Sequence, residues 1–153
     1  MYRCFFLFLS ILFGLIGCDD ANNVRIPYAP VLIKINTIVE RDKALSATGS
    51  GVSYTTSNRI YDIERMGFGG VYVFNTYSNN LAAFDLSCPV EASRSAKLVR
   101  YGNDKLKCNT CGSVYEIGWG VGNPVGGPAN TGNYSLQRYR VRTVSSTEYE
   151  VVN

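Results

Sequence analysis

The chain carries three cysteines in its second half and has no histidine anywhere among its 153 residues. The cysteines fall in two short motifs, Cys88-Pro-Val-Glu91 and Cys108-Asn-Thr-Cys111-Gly-Ser-Val-Tyr115. Gly127-Pro-Ala129 and Leu136-Gln-Arg-Tyr139 follow. The question these motifs pose is whether the three thiols hold a metal or only hold the fold. With no imidazole there is no Ser/His or Cys/His dyad, so no catalytic residue is assigned and an enzymatic role is not favoured.

The N-terminus sets the redox compartment in which those thiols work. Arg3 supplies a positive charge, and Cys4 through Ile16 is a nearly continuous apolar run ending in Leu15-Ile16-Gly17-Cys18. That run is too short and wrongly flanked for a spanning helix, and it reads as a bacterial lipoprotein signal over residues 1–17. Cys18 is then the lipidated first residue of a tether over 18–30, and 31–153 is a single domain. Several acyl chains on one cysteine hold a protein at a membrane far longer than one chain does. The acidic pair Asp19-Asp20 suits a lipid-anchored protein of the bacterial envelope, at the outer membrane on its periplasmic or surface face. With Cys4 removed and Cys18 acylated, three thiols remain in an exported protein. An odd number means that one stays free or that all three point at one metal.

Composition agrees with one globular domain: 46% of residues are hydrophobic and 18% charged. The formal net charge of +3 is too small and too dispersed for nucleic-acid binding. Arg138, Arg140 and Arg142 alternate along one solvated strand face. Asp62, Glu64, Asp85 and Glu91 are scattered and read as solvated strand ends. Gly118-Trp-Gly-Val-Gly122 lacks the strand-to-helix setting of a phosphate loop. Within it, Trp119 suits either an exposed contact or a buried lid over the cysteines.

Past the tether the pattern is almost wholly β. Val31–Val39 is β-branched and partly alternating, and Val52 and Tyr54 suit the anchors of a second strand. Val71–Phe74 and Leu81–Phe84 flank the turn Ser78-Asn-Asn80. Lys97–Tyr101 and Lys105–Cys108 flank Gly102-Asn-Asp104, and Leu136–Val144 and Glu148–Val152 flank Ser145-Ser-Thr147. No segment of ten residues past the signal shows a helical stripe. Short strands between turn clusters predict an all-β antiparallel barrel or sandwich.

The order of the motifs resembles the Rieske-type 2Fe–2S domain family. Its pattern is C-x-H, a gap of fifteen or more residues, C-x-x-H-G-S-x-Y, a proline loop and a final L-x-x-Y strand. The resemblance covers about Gly67 to Asn153 and implies a small metal-loop subdomain on the β scaffold. It implies that Cys88 and Cys108 bind one iron. The two histidines of the other iron fall at Val90 and Cys111, so this is a divergent member with both ligand histidines replaced. Ser113 and Tyr115 match residues that donate hydrogen bonds toward the cluster sulfurs, and Pro128 matches the covering loop. The family's stabilising loop disulfide has no counterpart here.

Three readings of the thiols follow. One is a 2Fe–2S cluster on Cys88, Cys108 and Cys111 with Glu91 or water as fourth ligand. It would make the protein a membrane-anchored electron carrier with a redox partner in the envelope and a potential lowered toward ferredoxin values. The second is a zinc ion on the same set. The third is a metal-free site in which Cys88–Cys108 or Cys108–Cys111 oxidises to a disulfide. In the last two the domain is a structural or partner-binding scaffold.

Overall fold

The computed structural model describes residues 25–153. The signal segment, Cys18 and the first part of the tether lie outside the described residues. Among the described residues, eleven strands form in chain order: β1 (Val31–Asn36), β2 (Gly51–Tyr54), β3 (Arg65–Met66), β4 (Val71–Asn75), β5 (Leu81–Asp85), β6 (Leu98–Tyr101), β7 (Lys105–Cys108), β8 (Val114–Glu116), β9 (Asn123–Gly126), β10 (Arg138–Thr143) and β11 (Glu148–Val152). One short helix, α1 (Pro128–Gly132), follows β9.

A seven-stranded sheet runs in the order β2-β4-β5-β10-β11-β1-β3, and a four-stranded sheet in the order β6-β7-β8-β9. Every pairing is antiparallel. This is the all-β antiparallel layout expected from the sequence, with the smaller sheet carrying the second cysteine loop.

The pair β4–β5 explains how the two sheets meet. All five residues of β4 are buried, as are four of the five in β5. Side chains alternate between the two faces of a strand. Val71, Val73 and Ala83 therefore enter one core with Val31, Ile33, Ile35, Leu45, Tyr54 and Val151. Tyr72, Phe74, Ala82 and Phe84 enter a second core with Leu98, Leu106, Tyr115, Ile117 and Leu136. Cys88 and Cys108 belong to that second core, which lies under the small sheet.

The local chemistry sets the ends of the elements. β1 stops at Asn36, three residues before the expected Val39. The Asn36 side-chain oxygen accepts the Ile38 N–H at 3.0 Å, and Asp42 accepts the Asn36 N–H at 2.8 Å. These bonds turn the chain and leave Ile38 exposed. The strand pairs flanking 78–80, 102–104 and 145–147 form as hairpins. Residues 25–30, the end of the segment read as a tether, lie against the domain. Ile26 is buried there, Arg25 sits 4.5 Å from the Tyr134 ring centroid, and Asn153 donates to the Ala29 carbonyl at 3.0 Å.

Two acidic residues read from sequence as solvated are buried instead. Glu64, 1% exposed, pairs with Arg41 at 3.0 Å and accepts the backbone N–H groups of Ile60 and Tyr61. Asp85, 0% exposed, accepts the Phe68, Gly69 and Ser87 N–H groups and the Tyr139 hydroxyl. Burial of a carboxylate is tolerable only with such partners, and Arg41, Phe68, Gly69 and Tyr139 among them lie far along the chain.

Candidate metal centre

Two loops meet at one end of the small sheet, and both are the same hydrogen-bonded turn. In the first, the Ala92 N–H donates to the Cys88 carbonyl at 2.8 Å. In the second, the Gly112 N–H donates to the Cys108 carbonyl at 3.2 Å. The residue closing each turn has positive φ, 48° at Ala92 and 73° at Gly112. Glycine adopts that region freely, and alanine only under constraint from its surroundings. Strand pairing sets the loops against each other: Cys108 is opposite Leu98 in the β6–β7 ladder, and the Cys88 N–H donates to Ala96 just before it.

The three sulfurs converge. All lie within 4.8 Å of one another, and Cys88 Sγ and Cys111 Sγ are 3.6 Å apart. Cys88 and Cys108 are buried, and Cys111 is half-buried toward solvent. The expectation that Cys88 and Cys108 are neighbours with Cys111 beside them thus matches the arrangement. The carboxylate of Glu91, named from sequence as a fourth ligand, is not among the gathered atoms, and the residue is exposed. Its backbone N–H, with that of Val90, instead faces the Cys88 sulfur. Val90 packs its side chain against the second core.

Ser113, Tyr115 and the proline loop surround the sulfurs. Tyr115 Oη is 3.5 Å from Cys88 Sγ, and Ser113 Oγ is 3.1 Å from Cys111 Sγ. The Ser113 oxygen also accepts the Ala129 N–H at 3.0 Å, which ties α1 to the second loop. The close cover comes from Gly127 and Ala129 rather than from Pro128, whose ring is exposed. A Cβ on Gly127 would stand 2.9 Å from Ser113 Cα, so only glycine allows this approach. Trp119 is 66% exposed and meets the Tyr77 ring edge-on at 5.6 Å. Tyr77 lies in the β4–β5 turn, at the far end of β5 from Cys88, so Trp119 is not a lid on the cysteines.

The thiols are electrostatically unequal. Burial pushes Cys88 up to about 12, against hydrogen bonds from Tyr115 and the backbone of Glu91 and Val90. Burial also opposes ionisation of Cys111. Hydrogen bonds from the Ser113 side chain and backbone, and from the other two thiols, outweigh it and hold Cys111 below the ordinary thiol value. Tyr115 is raised by burial and by its bond to Cys88, so it stays a neutral donor. The site thus sets the more readily ionised Cys111 thiol at its exposed edge, above the buried sulfurs of Cys88 and Cys108.

The residues do not fit a Rieske cluster. That group takes two thiolates on one iron and two imidazoles on the other. This chain has no histidine. The Cys111 sulfur, at a position of the second iron, sits against Cys88 rather than across a binuclear cluster from it. Of the residues matched to the family's site, the structure brings together Cys88, Cys108, Cys111, Ser113 and Tyr115. The backbone donors at Val90, Glu91 and Ala129, which complete the surroundings, carry no side-chain signal in the sequence.

Fold and site together define an antiparallel β domain with a three-thiol centre able to hold a metal. No protein-family model matches the chain, and no curated protein matches it. Among solved structures it is similar to the terminal oxygenase of carbazole 1,9a-dioxygenase from Novosphingobium sp. KA1. That likeness has 16% identity and a TM-score of 0.49, and covers 84% of this chain and 31% of that one. A putative NADH-dependent nitrite reductase small subunit from Mycobacterium tuberculosis is similar at 14% identity and a TM-score of 0.43 over 81% of this chain and 96% of that one. This chain therefore spans under a third of the oxygenase's length. The fold assignment rests on the strand topology of this chain.

Proposed function

We propose that this protein is a lipid-anchored domain of the bacterial envelope whose two cysteine loops hold one metal ion rather than a 2Fe–2S cluster. The carrying observation is the mutual approach of three sulfurs within 4.8 Å, with Cys88 and Cys111 at 3.6 Å. Thiolates about 2.3 Å from a tetrahedral ion stand roughly 3.8 Å from one another. The gathered sulfurs need only small adjustments to reach that spacing. A site made of thiolates suits zinc, or a single iron, over hard cations that prefer oxygen. With zinc, the ion clamps the two loops and the domain serves as a structural or partner-binding module. With one iron held by the same sulfurs, the iron would carry one electron by cycling between its ferric and ferrous states.

Three features support the reading. Backbone and Tyr115 donors point at Cys88, the Thr110 N–H lies 3.4 Å from Cys108 Sγ, and the Cys111 thiol is held by Ser113 Oγ, which accepts from it at 3.1 Å. Such donors stabilise metal-bound thiolates. Anchoring through Cys18 would place the domain at the outer membrane, within reach of an envelope partner. The test is analysis of zinc, iron and acid-labile sulfide on protein purified without oxygen. One ion per chain with no labile sulfide is the expected result. Two irons and two sulfides per chain would restore the cluster reading, and no metal with a disulfide would leave a metal-free scaffold.

A further inference from the structure

The geometry points to Glu91 as the fourth ligand of the centre, in a position equivalent to that of Cys111. This rests on the single-ion reading above and adds the residue that completes its coordination.

Both loops obey one rule, so their positions can be matched without reference to side-chain type. Each starts at a cysteine whose carbonyl accepts the N–H four residues on, and each closes on a residue with positive φ. In each, the starting sulfur faces backbone N–H groups of its own turn: Val90 and Glu91 for Cys88, Thr110 for Cys108. Matching the turns pairs Cys88 with Cys108, Val90 with Thr110, Glu91 with Cys111 and Ala92 with Gly112. The third position after the starting cysteine supplies a ligand sulfur in the second loop. In the first loop that position holds Glu91. Its neighbour Val90 takes the place of Thr110, a position that supplies no ligand in the second loop.

Two such turns facing each other offer four vertices, and three hold sulfur. The fourth holds a carboxylate on a longer, exposed side chain. Glu91 has no hydrogen-bonded side-chain partner among the described residues, so turning its carboxylate inward breaks no contact. Carboxylate is an established zinc ligand in a tetrahedral set. The set is therefore three thiolates and one carboxylate. It closes at the exposed edge beside Cys111, where an ion enters.

Cobalt(II), a spectroscopic stand-in for zinc, tests this on the full purified chain. The wild type is expected to bind one cobalt with tetrahedral d–d bands and thiolate charge-transfer absorption. Glu91→Cys should raise the charge-transfer intensity by the contribution of a fourth thiolate and tighten binding. Glu91→Ala should weaken binding by on the order of 10–100-fold or more, since even residues behind the ligands cost that much. Glu91 is exposed, so neither change should disturb folding, and unchanged circular dichroism checks this. If the wild type takes up cobalt but neither variant alters affinity or charge-transfer intensity, Glu91 is not a ligand and the single-ion reading survives. If the wild type takes up no ion, both fall.

Discussion

Replacing Asp85 by Asn should cost about 2–4 kcal/mol of folding stability and loosen the first cysteine loop. The two Asp85 oxygens accept the Phe68 N–H at 3.1 Å, the Gly69 N–H at 3.1 Å, the Ser87 N–H at 2.7 Å and the Tyr139 hydroxyl at 2.7 Å. Asn keeps the shape but turns one oxygen into an NH2 donor. With its remaining oxygen toward Phe68 and Tyr139, the NH2 faces the Ser87 N–H and leaves it unpaired. The reverse flip leaves the Phe68 N–H unpaired and keeps Tyr139 only if its hydroxyl turns to accept from the NH2. A buried donor without an acceptor costs about 1–3 kcal/mol, and each bond lost from a charged acceptor about 1.5–3 kcal/mol. Tyr139→Phe removes one donor and leaves the carboxylate its three backbone partners, so about 1–2 kcal/mol is expected. For urea slopes of about 1–3 kcal/mol/M, Asp85→Asn should lower the unfolding midpoint by on the order of 1–2 M, and Tyr139→Phe by about half as much. Ser87 precedes Cys88, so the Asn variant should also bind metal more weakly. Equal, small shifts for both variants would refute the claim that this carboxylate anchors the loop.

Three further outcomes are expected. Burial disfavours the Glu64 carboxylate, but the Arg41 ion pair and the Ile60 and Tyr61 N–H groups hold it below the usual 4.5; a depressed native value contributes stability above the unfolded-state pKa and loses it as pH falls. Acid titration of stability should therefore show a loss beginning below about pH 4.5 that is smaller in Glu64→Gln, and that variant should be destabilised at pH 7 by about 3–5 kcal/mol. Leu106→Ala, at a fully buried position under the small sheet, should cost about 2–5 kcal/mol in chemical denaturation, and a cost under 1 kcal/mol would contradict a packed second core. Cys18→Ser should leave the protein unlipidated and out of the membrane fraction; a variant still lipidated there would rule out Cys18 as the anchor.

Strand positions were legible from local pattern because strands and turns leave local marks. Val71–Phe74 and Leu81–Phe84 read as strands from their residue types, and Ser78-Asn-Asn80 marked the turn between them. What failed was shortness or distance. β3 has two residues and β8 three, too few for alternation to register. β9 follows directly on a glycine-rich stretch that masks it.

By itself the sequence determined an antiparallel β domain with two cysteine loops, because period, turn residues and motif spacing are properties of adjacent residues. Only the tertiary structure decided what the loops and buried charges do. Glu64 and Asp85 look like solvated acids until Arg41, 23 residues away, and Tyr139, 54 residues away, are brought against them. Their burial is a consequence of sheet order, which no window of sequence contains. The same holds at the centre. The family resemblance placed Cys111 at a histidine position across a cluster, whereas the folded turns bring it to 3.6 Å from Cys88 and match it with Glu91. Backbone hydrogen bonds, which carry no residue code, set that equivalence.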